Sequence, residues 1–137
     1  MDIGLTMEVC VVEIDAKTTE PLHVSSVGGG EYFVESIPFV TDKVSRCDLI
    51  SVDVRGDTLY FAERLSQSGH RTISVVSEDP TAVEELGKIA ETHNLLVEQN
   101  DRFNLLAIDL PVKFDPAPLV TFLDQATQEK RLAYTLR

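Results

Sequence analysis

The chain has no tryptophan, 7% aromatic residues, two cysteines, three histidines and roughly half as many basic as acidic residues. Each shortage narrows the function classes open to it. Few aromatics leave little to line the sugar-binding cleft in which the paired carboxylates of a glycosidase work. Acid pairs such as Glu84-Glu85 read instead as solvated charge on a helix exterior. Cys10 and Cys47 are far apart and neither has a CxxC partner, which argues against zinc and thioredoxin-type sites. Cys10, inside Val9-Cys10-Val11-Val12, reads as a reduced, buried thiol, and Cys47, after Arg46, as a strand residue. His23, His70 and His93 show no His-x-x-x-His or His-x-His spacing, so no metal site and no cofactor is expected. No charged-then-apolar leader opens the sequence, and no apolar run approaches the ~20 residues of a membrane helix. A cytoplasmic location without membrane contact is the expectation.

Basic residues are the most telling shortage. Twelve lysines and arginines against 23 acids give a net charge of −11. The imbalance is spread evenly: residues 1–70 hold 12 acids and 5 bases, residues 71–137 hold 11 and 7. A field of that sign opposes nucleic acid and anionic membranes and favours a basic protein partner. It also simply keeps a protein soluble.

At 137 residues, 43% hydrophobic and 26% charged, the chain suits one compact domain or two very small ones sharing a core. The pattern changes near residue 70. Before it, short β-branched runs are separated by turns: Met7 to Ile14, Leu22 to Val27, Glu31 to Ile37, Leu49 to Val54 and Thr58 to Glu63. Gly28-Gly29-Gly30 and Arg55-Gly56-Asp57 are the hairpin turns, and Pro38 marks an edge, bulge or corner. Residues 1–70 are therefore expected to form an antiparallel β-rich, small barrel-like half.

Residues 71–137 are expected to run strand, helix, strand, strand, helix, strand. The strands are Arg71 to Ser77, Leu95 to Glu98, Phe103 to Leu110 and Ala133 to Leu136. Asp79-Pro80 and Asp115-Pro116 open the helices with a capping carboxylate and a proline. Val83, Leu86, Ile89 and Ala90 form one inward face, and Leu119, Phe122, Leu123 and Ala126 the other. His93-Asn94 ends the first helix. This βαββαβ order is that of a ferredoxin-like sheet, so the fold class expected is α+β.

Glu31-Tyr32, Ile37-Pro38-Phe39, Asp48-Leu49-Ile50 and above all Ser68-Gly69-His70-Arg71-Thr72-Ile73 resemble the bacterial family called domain of unknown function 4265, over residues 8–137. The resemblance implies a bacterial, cytoplasmic, two-part chain. It implies no activity, cofactor or catalytic residue.

Three function classes stay open. Ser68 beside His70, with Asp48 or Asp57 orienting the imidazole, would make a small hydrolase. Against this, no Gly-x-Ser-x-Gly elbow or oxyanion loop is present. The structural alternative has Gly69 at positive φ, Ser68 capping the turn and His70 bonded to backbone. Gly28-Gly29-Gly30 lacks the helix that follows a phosphate loop, and Glu31 would repel the anion. Nor does Phe103 to Asp109 carry the aromatic and basic face of an RNA-binding sheet. A ligand-sensing domain would need a pocket between the two halves, and Leu95-Leu96-Val97 could pair such domains as a homodimer. The reading taken forward is a non-catalytic acidic protein-binding module. It would be a bacterial immunity or inhibitor protein masking a basic toxin or enzyme, with Asp53, Asp57, Glu63 and His70 at its binding surface.

Overall fold

The computed structural model describes residues 7–137 and is mixed α+β, rich in strands with two helices. The first six residues of the expected β-rich half lie outside the described residues. The chain divides into two compact units, Met1–His70 and Arg71–Arg137.

The first unit is a closed five-stranded barrel of β1 (Met7–Glu13), β2 (Thr19–Gly28), β3 (Glu31–Val34), β4 (Leu49–Arg55) and β5 (Thr58–Ser66). Successive strands pair antiparallel, and a short parallel pairing of β1 with β5, Cys10 to Leu59 and Val11 to Tyr60, closes the ring. Closure removes the unpaired edges that an open sheet would show. Alternating residues of small or medium size fill the narrow interior: Cys10, Val12, Leu22, Val24, Val34 and Ile50 are all at most 1% exposed. Burial raises the Cys10 thiol to about 11, so it stays protonated at neutral pH.

β3 is shorter than its apolar run suggests, ending at Val34 rather than Ile37. Beyond it the His23 carbonyl accepts both Glu35 N–H and Ser36 N–H, and Pro38 has no N–H with which to extend a ladder. The carboxylate of Glu20 then accepts the next three N–H groups, from Phe39 at 2.6 Å, Val40 at 3.2 Å and Thr41 at 2.8 Å. Cys47 is also not a strand residue. It sits at φ 71° in the turn before β4, its N–H donating to the Val34 carbonyl.

The second unit is a four-stranded sheet in the order β7-β8-β6-β9, with every neighbouring pair antiparallel. Its strands are β6 (Arg71–Val76), β7 (Val97–Asn100), β8 (Leu105–Leu110) and β9 (Ala133–Leu136). Helix α1 (Pro80–Thr92) follows β6, and α2 (Ala117–Gln128) follows β8. Leu86, Ala90, Leu119, Leu123 and Ala126 pack with Ile73, Val75 and Ile108 into one apolar core, with Phe122, Val83 and Ile89 half-buried at its margin. Asp79 caps α1 by accepting Thr81 N–H and Ala82 N–H, and Asp115 accepts Ala117 N–H. The β7–β8 connection differs from the expected hairpin across Gln99 to Arg102. A 3₁₀ turn over Asp101–Phe103 and a left-handed Asn104 (φ 55°) delay β8 to Leu105. β7 begins only at Val97, because Leu95 N–H still bonds the helix carbonyl of Ala90.

No helix among the described residues is long and apolar enough to cross a membrane.

Candidate functional site

Ser68, Gly69 and His70 form a turn after β5, with Gly69 at φ 89°. Asp48, 1% exposed, anchors that turn. One of its carboxylate oxygens accepts Ser68 N–H at 2.7 Å, and the other accepts Ser45 N–H at 2.8 Å and lies 3.6 Å from the Arg64 guanidinium. The Ser68 hydroxyl donates to the Arg46 carbonyl at 2.7 Å and accepts His70 N–H at 3.1 Å. A hydroxyl whose proton is held by a backbone carbonyl is not poised to pass it to an imidazole, and Asp48 is engaged with backbone and Arg64 rather than orienting a base. His70 is half-buried.

The other three candidate residues lie on the β4–β5 hairpin. Ile50 and Val52 point into the barrel core, so the alternation of the strand turns Ser51, Asp53 and Arg55 outward. Across the ladder Ser51 pairs with Glu63 and Asp53 with Tyr60, which brings Asp53 and Glu63 to the same outer face despite the bulge between them. Asp57 occupies the tight turn, where Gly56 supplies the positive φ of 64°. All three carboxylates are exposed, and among the described residues none makes an ion pair. The intervening arginines are engaged elsewhere. Arg55 bonds Glu13 at 3.0 Å and lies 4.2 Å over the Tyr60 ring, while Arg64 turns to buried Asp48. His70 belongs to the turn after β5 rather than to this hairpin.

Glu13 and Tyr60 belong to this surface through Arg55, and the sequence reading passed over both. The same is true of Glu20. Its signal was present, since Glu20, Leu22 and Val24 share one strand face, placing a carboxylate at an inward position. Among the described residues, His, Cys, Asp and Glu form no group of three placed to hold a metal ion.

The family model of a Domain of unknown function (DUF4265) matches residues 20–134 of this chain. A hypothetical protein from Neisseria gonorrhoeae, known as a crystal structure, is similar with a TM-score of 0.80 and 21% sequence identity, covering 95% of this chain and 93% of that chain. At that identity the likeness shows the fold alone. No curated protein matches the chain.

Proposed function

This chain belongs to the Domain of unknown function (DUF4265) family, and we propose that it is a non-catalytic module that binds a basic protein partner through the outer face of the β4–β5 hairpin. The observation that carries this reading is the set of exposed carboxylates at Asp53, Asp57 and Glu63, which have no ion pair among the described residues, beside arginines that are engaged elsewhere. A fixed negative patch on a chain of net charge −11 steers a cationic partner and speeds its encounter. The natural role for such a surface is that of a bacterial immunity or inhibitor protein covering the basic site of a toxin or enzyme, in the cytoplasm. The second unit reads as ferredoxin-like, a reading supported by its βαββαβ order and its all-antiparallel β7-β8-β6-β9 sheet.

The test is affinity capture from the parent bacterium's lysate at low salt, elution at high salt, and association kinetics with the basic protein so identified. Asp57→Lys should slow association about tenfold at low salt and flatten its salt dependence. The reading fails if no basic protein is released by salt, or if Asp57→Lys leaves the association rate unchanged.

A further inference from the structure

On the helix side of the four-stranded sheet a groove runs between α1 and β7. Val83 and Gly87 of α1 form one wall, Val97 and Gln99 of β7 the other, and buried Val75 and Leu106 the floor of a cavity of about 480 Å³. That volume falls within the roughly 300–1,000 Å³ of small-ligand pockets. A second stretch of about 510 Å³ shares Gly87 and Val97 with the first and reaches Leu95 and Leu96.

Gly87 keeps the helix wall low where the two stretches meet. Glycine is a poor choice inside a helix, and a Cβ placed on this one would meet no atom within 4 Å. Packing inside the fold therefore does not demand glycine there, whereas an occupant lying across the wall does.

Carboxylates stand at both ends of this apolar middle. Glu78, Glu84 and Asp101 line the first stretch and Glu91 the second, and no described lysine or arginine lines either. Glu84, Gly87 and Glu91 share one face of α1, and the two glutamates are two helical turns, or about 10 Å, apart along it. Among the described residues Glu78, Glu91 and Asp101 make no ion pair. The cations of this unit are engaged outside the lining. Arg131 is held by Asp79, Glu85 and Glu129, and Arg102 lies over the Phe103 ring. Lys88 lies 3.3 Å from Glu84 in a fully solvated pair of the kind that contributes little and is easily displaced.

Such a lining repels an anion, and an apolar molecule with a single cation satisfies only one of its ends. We propose that the groove binds a linear aliphatic diamine or polyamine, its methylene chain lying over Gly87 between Val83 and Val97. One ammonium stands among Glu78, Glu84 and Asp101, and the other beside Glu91. A chain of about eight methylenes spans the two helical turns between Glu84 and Glu91. Exposed ion pairs add little by themselves, so the methylenes laid on the apolar walls supply the rest of the affinity. The acids line the same cavity that the chain fills, so neither cation has to turn away from them.

The probe is the α,ω-diamine of octane, titrated into the full chain and followed by amide and methyl NMR shifts. Three controls of equal span separate the contributions: octylamine has one cation, octanedioate has two anions, and the diamine of triethylene glycol has a polar middle. Saturable shifts should centre on Val83, Gly87 and Val97. Octylamine and the glycol diamine should bind at least about threefold more weakly, and octanedioate not at all. Gly87→Leu improves helix propensity and should keep or raise the melting temperature, yet should weaken binding about tenfold by filling the middle of the groove. Glu91→Gln should weaken the octane diamine about threefold and leave octylamine unchanged. Glu85→Gln removes an equal charge from the same helix outside both stretches, and should change neither. The proposal is overturned if the shifts fail to saturate or lie elsewhere, if Gly87→Leu binds as well as the parent chain, or if octanedioate binds. An equal loss in Glu85→Gln and Glu91→Gln would also overturn it, as the mark of general attraction to an acidic chain.

Discussion

The two units of this chain face the same requirement, which is to satisfy backbone N–H groups outside the regular ladders, and they meet it differently. The barrel has no helix among its described residues, and its irregular connection 35–48 is tied down by buried carboxylates. Glu20, 6% exposed, takes the N–H groups of Phe39, Val40 and Thr41, while Asp48, 1% exposed, takes those of Ser45 and Ser68. The four-stranded unit uses helices, whose internal bonds leave only the ends to be satisfied. There the carboxylate of Asp79 caps α1, and that of Asp115 takes the N–H of Ala117, the first residue of α2. A carboxylate can remain in a barrel wall only because donors fill its lone pairs, and removing it strands those donors. The contrast is between polar groups that hold a core in shape and polar groups that trim the ends of an apolar one.

The sharpest way to break this contrast is Glu20→Ala. Three N–H groups lose their acceptor at once, and at about 1–3 kcal/mol for each buried unsatisfied donor the loss should total about 4 kcal/mol after partial rescue by water. Denaturant titration gives the magnitude. Hydrogen exchange should show the Phe39, Val40 and Thr41 amides losing protection first. A loss below about 1 kcal/mol, the scale of an ordinary surface cap, would erase the distinction.

Leu86→Ala probes the other side of the comparison. Leu86 is fully buried beneath α1 among Ile73, Val75 and Ile108, and its truncation should cost about 3 kcal/mol through lost burial and the cavity left behind. Exchange should quicken along α1, β6 and β8, while the Phe39 to Thr41 amides keep their protection. Equal loss of protection at both places would mean that the two units do not respond separately.

Much of the second unit was legible because its signals are local. Asp-Pro pairs, the apolar positions of both helices and the Ala133 to Leu136 strand all appear in the structure, since caps and helical periodicity act within a few residues. The β7–β8 connection was misplaced because a left-handed asparagine can end either a helix or a 3₁₀ turn, and this unit uses both, at Asn94 and Asn104. In the barrel the strand runs could be read, but the partners of Glu20, and Ser68 as a partner of Asp48, lie 19 to 21 residues away in sequence, beyond any window of pattern. Separation in sequence hid the surface as well. Arg55 and Arg64 alternate with the acids along the sequence, and only the pairing of Arg55 with Glu13 and of Arg64 with Asp48 leaves the hairpin carboxylates unpaired.

Asp79 carries the smallest expected effect and the most precise test, because two chemically different contacts meet on one half-buried carboxylate. The Arg131 guanidinium at 2.9 Å is the larger cause holding its carboxyl below the usual range, and Ala82 N–H and Thr81 N–H add to it. A carboxyl with a lowered folded-state pKa stabilises the fold fully above the unfolded value, near 4, and loses that contribution as pH falls through the folded value. Asp79→Asn keeps a capping oxygen and removes the charge, so it should lose only the attraction to Arg131. Asp79→Ala should lose the cap as well. Melting temperatures measured from pH 7 down to about 2 should therefore show the parent chain and Asp79→Asn converging in acid, while Asp79→Ala stays below both. Curves for the parent and Asp79→Asn that run parallel across that range would mean the Arg131 pair contributes nothing to folding, leaving this carboxylate purely a cap, unlike the buried pair that shapes the barrel.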